Sequence, residues 1–249
     1  MLDLLPTFLI AGLALAQPAT PGAAAAVPAA SAAEADRLYF HRHQGTNLAD
    51  DISFLEAQLK ADPEQPAWLW RLGRALVRLG ERQAAKSDKL ATYTRAVVFL
   101  NRAVSLAPRE PQAHYWLGLA LGRRGQVRGV LRSLFLVGPL RQEMRTVLEL
   151  DPNNGGAHHV LGEMLLAIPI FAGGSKKQAV RELETAAVLE PDSSAHFTAL
   201  AEAYLAVGER GQARAALERV FSIRRPSDPG EYDDDVQEAR DMLKRIARR

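Results

Sequence analysis

The sequence predicts an all-α solenoid of helix–turn–helix repeats closed by a C-terminal capping helix. Three observations carry that expectation. A Leu-Gly pair recurs at Leu72-Gly73, Leu117-Gly118 and Leu161-Gly162, and Leu200-Ala201 follows in the same role. Three residues after each small residue comes a large apolar one: Leu76, Leu121, Leu165 and Tyr204. A shared phrase then ends each second helix: Ala107-Pro108, Asp151-Pro152 and Glu190-Pro191. The small residue lets two antiparallel helices approach, and apolar side chains at i, i+3, i+4 spacing fill the gap between them. One such hairpin cannot bury its own face, so the units must stack.

The elements follow in order. A weak first unit, about 33–63, carries Leu38, Leu55 and Pro63. Four fuller units cover about 66–108, 111–152, 155–191 and 194–226. Their second helices offer Ala96, Leu100 and Ala103; Leu140 and Met144; Ala179, Leu183 and Ala186; and Ala213, Leu217 and Val220. A cap over 232–247 presents Val236, Ala239, Leu243 and Ile246, with Asp233 to Asp235 at its start and Lys244, Arg245 and Arg248 at its end, in accord with the helix dipole. This pattern resembles the tetratricopeptide repeat, whose standard unit is about 34 residues. The first two full units are longer than that. Their extra length, within 82–106 and 126–150, reads as long or kinked second helices, with Gly138-Pro139 as the one strong breaker.

Several phrases narrow the resemblance. They are Leu38-Tyr39 followed by Leu48 to Leu59, Ala113-His114-Tyr115-Trp116-Leu117-Gly118, Leu148-Glu149-Leu150-Asp151-Pro152, and Pro169-Ile170-Phe171-Ala172-Gly173-Gly174-Ser175. Together they resemble the T-component family of TRAP transporters and the related regulators of microtubule dynamics, over roughly residues 34–247. The resemblance implies an all-helical, non-enzymatic accessory protein, which in bacteria is periplasmic and associates with a substrate-binding protein.

The first sixteen residues are a separate object. Leu4 to Ala16 is an apolar run too short for a bilayer, which needs about 20 residues. Ala14-Leu15-Ala16 before Gln17 has the small-x-small form of a signal-peptidase site, so residues 1–16 read as a secretory signal or as an apolar tail. Residues 17–32, with Pro18, Pro21 and Pro28, read as an Ala/Pro-rich flexible linker. The expected location is periplasmic or secreted, with no integral membrane span once the signal is removed.

Composition excludes several chemistries. With 47% apolar residues, wholesale disorder is ruled out. With no cysteine there is no disulfide scaffold, thiolate zinc site, cysteine nucleophile or acylated N-terminal anchor. The net charge is +2, but residues 61–150 hold 15 basic and 7 acidic side chains between two acidic ends. That middle either steers an anionic partner or is a set of solvated helix faces. No nucleic-acid partner and no cofactor are expected. His41 and His43, two apart, and the adjacent His158 and His159 do not share a helix face, so no metal site is expected. His114 and His158 should face the packing inside their own units. No H-E-x-x-H or G-x-S-x-G occurs, and His159 with Glu163 lacks a third partner. The stretch Pro169 to Gln178 reads either as an anion cradle or, through Ser175 and Gln178, as a capping box.

The better candidate site is the concave groove lined by the first helix of each unit. Two residues before each Leu-Gly pair or its equivalent come Trp70, Tyr115, His159 and Thr198. Two after it come Arg74, Leu119, Glu163 and Glu202, and Arg78 lies a turn beyond Arg74. The expected groove is aromatic and basic at its N-terminal end and acidic at its C-terminal end, unless the N-terminal unit fills it. The function read from this is a non-catalytic scaffold for a protein or peptide, with a homo-oligomer allowed. The alternative is a periplasmic T-component-like accessory of a TRAP-type solute transporter. A continuous apolar cavity would favour the solute and an open groove the peptide.

Overall fold

The computed structural model describes residues 27–248, which form eleven α-helices and one short 3-10 turn. Five helix pairs follow one another: α1 (Ala29–Phe40) with α2 (Asn47–Ala61), α3 (Pro66–Arg82) with α4 (Lys86–Leu106), α5 (Pro111–Arg128) with α6 (Val130–Leu150), α7 (Gly155–Ala167) with α8 (Lys176–Leu189), and α9 (Ser194–Val207) with α10 (Arg210–Val220). The last helix, α11 (Pro229–Ala247), packs on α9 and α10 as the cap. There is no strand among the described residues. The apolar run 4–16 and the linker as far as residue 26 lie outside them.

The small residues do what their spacing predicts. A Cβ on Gly73 would meet Leu100, one on Gly118 would meet Met144, and one on Gly162 would meet Leu183, each on the partner helix of the same unit. The second helices bury matching rows: Ala96, Leu100 and Ala103; Leu140, Met144 and Val147; Ala179, Leu183 and Ala186; Ala213, Leu217 and Val220. In α2 the residue four before the buried Leu55 is Asp51, so a carboxyl sits where the other units place Ala or Leu. Asp51 is fully buried and neither of its oxygens has a hydrogen-bond partner. Burial pushes its pKa up to about 7, against the nearby Arg74 charge.

The prolines act one residue early. Asp62, Ala107, Asp151 and Glu190 end α2, α4, α6 and α8 with φ between −141° and −128° and ψ between 73° and 88°. Each is followed by proline (Pro63, Pro108, Pro152, Pro191), which bars the α-region to the residue before it. Pro66 and Pro111 then open α3 and α5 at the first turn, where a missing N–H costs nothing. The long second helices are present: α4 and α6 each run 21 residues, with Pro139 inside α6. They begin later than the stretches 82–106 and 126–150, because residues 83–85 form a connector and Gly129, at φ 91°, breaks α5 from α6.

Three boundary expectations are corrected. Residues 29–32, read as flexible linker, are the first turn of α1, and Ala32 packs against the core. The cap starts at Pro229, with Asp228 as its N-cap accepting from the Gly230 N–H at 3.0 Å, so Asp233 to Asp235 lie a turn inside the helix. Met242, outside the expected stripe, is 1% exposed. The capping box is half-formed. Ser175 Oγ accepts from Gln178 N–H at 3.3 Å, but the Ser175 N–H bonds Leu165 O at 2.9 Å instead of the Gln178 side chain.

A basin closed by the two ends of the chain

The first helices of the units line a central basin of 720 Å³. Of the nine residues the sequence singled out, seven line it: Arg78, Tyr115, Leu119, His159, Glu163, Thr198 and Glu202. Trp70 and Arg74 do not. Trp70 is 7% exposed and Arg74 is equally buried, because α1 lies against them. Arg71 and Arg74 both reach Asp36 of α1, at 2.8 and 2.9 Å, and the Arg74 guanidinium stacks 3.7 Å from the centroid of Tyr39. The expectation that Trp70 and Tyr115 project into one groove is therefore corrected. A guanidinium stacked on one ring and paired with a carboxylate is strongly held, so the first unit occupies that end of the groove.

Arg78 faces the basin, but its charge is matched within the chain. It contacts Glu231 of α11, Glu81 at 2.9 Å and Asp228 at 3.4 Å, and donates to Tyr39 Oη at 3.1 Å. Burial opposes the Arg78 charge, yet these groups raise its pKa well above the usual arginine value. Arg123 stands at the position equivalent to Arg78 in the next unit, 45 residues on. It donates to Glu81 at 2.9 Å and lies 3.9 Å from Glu163. Arg42, just after α1, is 2% exposed, stacks on Tyr39, and pairs with Asp228 of the cap at 2.6 Å. The Arg42–Asp228 pair joins residues 186 apart in sequence. The basin is thus closed at one side where the start of the solenoid meets its cap.

The wall formed by α9 and α11 is acidic. Glu202 of α9 and Asp234, Asp235 and Glu238 of α11 line the basin, and none has an ion-pair partner among the described residues. Burial, then the neighbouring Glu238 and Glu163 charges, raise the Glu202 pKa. Burial also pushes Asp235 up to about 7, although the Ser194 hydroxyl donates to it at 2.6 Å. The lining cations without an ion-pair partner among the described residues, Arg82 and Lys89, sit on α3 and α4. The expected basic-to-acidic polarity therefore exists, but Arg82 and Lys89 supply its basic end, and Arg74 and Arg78 do not.

Between the walls lie two histidines. The Nδ1 atoms of His159 and His196 are 3.1 Å apart, so one ring N–H donates to the other ring's lone pair. His196 Nε2 lies 3.1 Å from Glu190, whose other oxygen accepts from Gly156 N–H at 3.2 Å. Desolvation drives the His159 pKa down to about 4, so its imidazole is neutral near pH 7. His114 and His158 pair across their own units, with Glu143 at 2.6 Å and Glu182 at 2.7 Å. No grouping of three metal-ligating residues occurs among the described residues.

Sequence reasoning missed Arg123, Glu190, His196, Arg42 and Asp228. Arg123 was open to discovery through its 45-residue offset from Arg78. Arg42 and Asp228 carried no signal, because only the curvature of the stack brings them together.

The family model described as Regulator of microtubule dynamics protein 1-3 matches residues 32–168. The chain belongs to this family. The matched span runs from α1 to the end of α7 and so includes the Arg–Tyr39 packing and half of the basin. Among solved structures, the family member is similar to TTC0263, a thermophilic tetratricopeptide repeat protein of Thermus thermophilus. The TM-score is 0.66 at 20% identity, covering 86% of this chain and 98% of that one. A fragment of MamA from Desulfovibrio magneticus aligns with a TM-score of 0.49 at 18% identity, covering 78% and 98%. No curated protein matches the sequence. The fold is a tetratricopeptide-type α-solenoid.

Proposed function

We propose that this family member is a non-catalytic interaction scaffold whose basin holds a protein segment with a cationic side chain. The observation that carries the reading is the imbalance of charge in the basin. Arg42, Arg78 and Arg123 are matched by carboxylates of the chain, whereas Glu202, Asp234, Asp235 and Glu238 face the same space without an ion-pair partner among the described residues. Tyr115, held edge-to-face on the buried Trp116 at 5.3 Å, offers apolar surface in the same basin. A lysine or arginine of the segment would lie on the α9/α11 wall and an aromatic or aliphatic residue on the Tyr115 ring. The basin walls carry charge on both sides, which favours a peptide over an apolar solute and gives the transporter-accessory alternative no support.

Peptides selected by display on the full chain are expected to place Lys or Arg beside an aromatic residue. The double substitution Glu202→Gln with Glu238→Gln should weaken them about tenfold, within the range of charge pairs at interfaces. Binding should also weaken as pH falls from 8 to 6, because Asp235, raised by burial to about 7, takes up a proton there and loses the charge that attracts the segment. Selected peptides that are acidic, or an affinity untouched by the double substitution, would overturn this reading.

Export is part of the proposal and rests on the apolar run Leu4 to Ala16 with Ala14-Leu15-Ala16. No helix among the described residues is long and apolar enough to cross a membrane. Mass spectrometry of the native protein should find Gln17 at its terminus. Met1 or Leu2 there would rule out export by this route.

A further inference from the structure

Between α5, α6 and α7 lies an apolar cleft of 80 Å³, walled by Leu121, Leu136, Val137, Leu140, Met164 and Ile168, with Leu119, Arg123, Gln126 and Glu163 bordering both it and the basin. Beside it the chain displays large apolar side chains to water. Phe135, which adjoins Leu136 in α6, is 84% exposed. Ile170 and Phe171, two and three residues after Ile168, are 86% and 83% exposed. Their display is built in. The turn 170–172 is tied by Ala172 N–H to Pro169 O at 2.9 Å and Gly174 N–H to Pro169 O at 3.0 Å. Gly173 adopts φ 92°, and a Cβ on Gly174 would collide with the Ile168 carbonyl. The Gly173-Gly174 pair therefore fixes a turn that holds Ile170 and Phe171 outward.

Charge defines what fits there. Residues 111–142 contain no Asp or Glu and five arginines, residues 164–181 contain no Asp or Glu and three cations, and Glu163, the carboxylate bordering the cleft, lies 3.9 Å from Arg123. Arg128, Lys176 and Lys177 are exposed, and Arg141 lies against the Gly173 turn. None of these four has an ion-pair partner among the described residues. A second copy of the same face would bring like charges together. A flat apolar sheet of lipid would leave the cleft unfilled.

We infer that this cleft and its exposed rim dock an acidic amphipathic helix of a partner protein, whose apolar residues at i, i+3/i+4 and i+7 enter the cleft and cover Ile170 and Phe171. Its carboxylates meet Arg128, Arg141, Lys176 and Lys177 and set orientation and association rate. The cleft borders the basin at Arg123 and Glu163, but its rim of Phe135, Ile170 and Phe171 does not line the basin, and the inference does not depend on the reading given for it.

The test uses the full chain and a 16-residue helical peptide with leucines at i, i+3, i+4 and i+7 and glutamate elsewhere on its polar face, alongside a copy with lysine in place of glutamate. Calorimetry should show binding of the acidic peptide, weakened by salt, and at least tenfold weaker for Ile170→Ser with Phe171→Ser. Both side chains lie at the surface, so the fold should survive, which far-UV circular dichroism checks. Glu202→Gln should leave this binding unchanged. Several results would overturn the proposal. They are equal binding of the lysine peptide, affinity unaffected by the double substitution, retention on phosphatidylglycerol vesicles without peptide binding, or a dimer in sedimentation that the same substitutions dissolve. Peptide binding gained only after the residues before 27 are removed would instead assign the cleft to the chain's own leader.

Discussion

Gly162→Leu should lower the stability of the solenoid by about 3 kcal/mol, the upper end of the overpacking range. The reason is where the new side chain would go. A Cβ at this position stands 2.5 Å from Leu183 Cγ, and Leu183 is fully buried with its Cγ one bond from its own Cβ, so it cannot swing aside. Helices α7 and α8 must then separate. In a stack whose stability is shared between neighbouring units, that also loosens α9. Gly73→Leu should behave alike, since it meets Leu100 in the same way. Gly118→Ala makes the contrast. Its Cβ would meet the terminal methyl of Met144, the far end of a flexible side chain that can change rotamer, and alanine favours a helix interior over glycine by up to about 1 kcal/mol. That variant should be near neutral. Urea unfolding of the three variants tests the packing register, and an unchanged midpoint for Gly162→Leu would contradict it.

Arg42→Met should cost about 3–5 kcal/mol, the range for removing one partner of a buried ion pair. Methionine keeps much of the bulk and removes the charge. Asp228 and Glu231 would then face each other with only Arg78 paired to them, and Arg78 is shared with Glu81, which also holds Arg123. The Arg42 stack on Tyr39 would also be lost. The distinguishing readout is hydrogen exchange. Faster exchange is expected in both α1 and α11, because the pair joins the two ends of the stack. Faster exchange confined to α1 would show that the closure is held by other contacts. Asp228→Asn in the Arg42→Met background should recover part of the loss by removing one uncompensated carboxylate.

The repeat architecture was legible because its causes are local. The Leu-Gly pairs mark close helix approach within a unit, and each proline restricts the residue before it. Both effects act over a few residues, so Leu72-Gly73, Leu117-Gly118 and Leu161-Gly162 predicted the packing on Leu100, Met144 and Leu183. The inward-facing positions of the first helices were legible for the same reason, and seven of the nine residues read from them line the basin.

What the sequence could not determine was which of those residues remained available. Periodicity places Trp70 and Arg74 on the concave face as surely as Tyr115 and Glu163. Whether α1 covers that face depends on the superhelical curvature that seats Tyr39 and Asp36 against it. The partner chemistry changed for the same reason. Read from spacing, Arg74 and Arg78 offered a basic anchor for acidic residues. The fold matches them with Asp36, Glu81, Asp228 and Glu231, leaving Glu202 of α9 and Asp234, Asp235 and Glu238 of α11 without an ion-pair partner among the described residues. A charge in a sequence is known by its sign alone. Its balance depends on every group within a few ångströms, and in a curved stack those groups come from opposite ends of the chain. The local pattern therefore determined the repeats and the faces of their helices, and only the closure of α1 against α11 decided which charges the basin still presents.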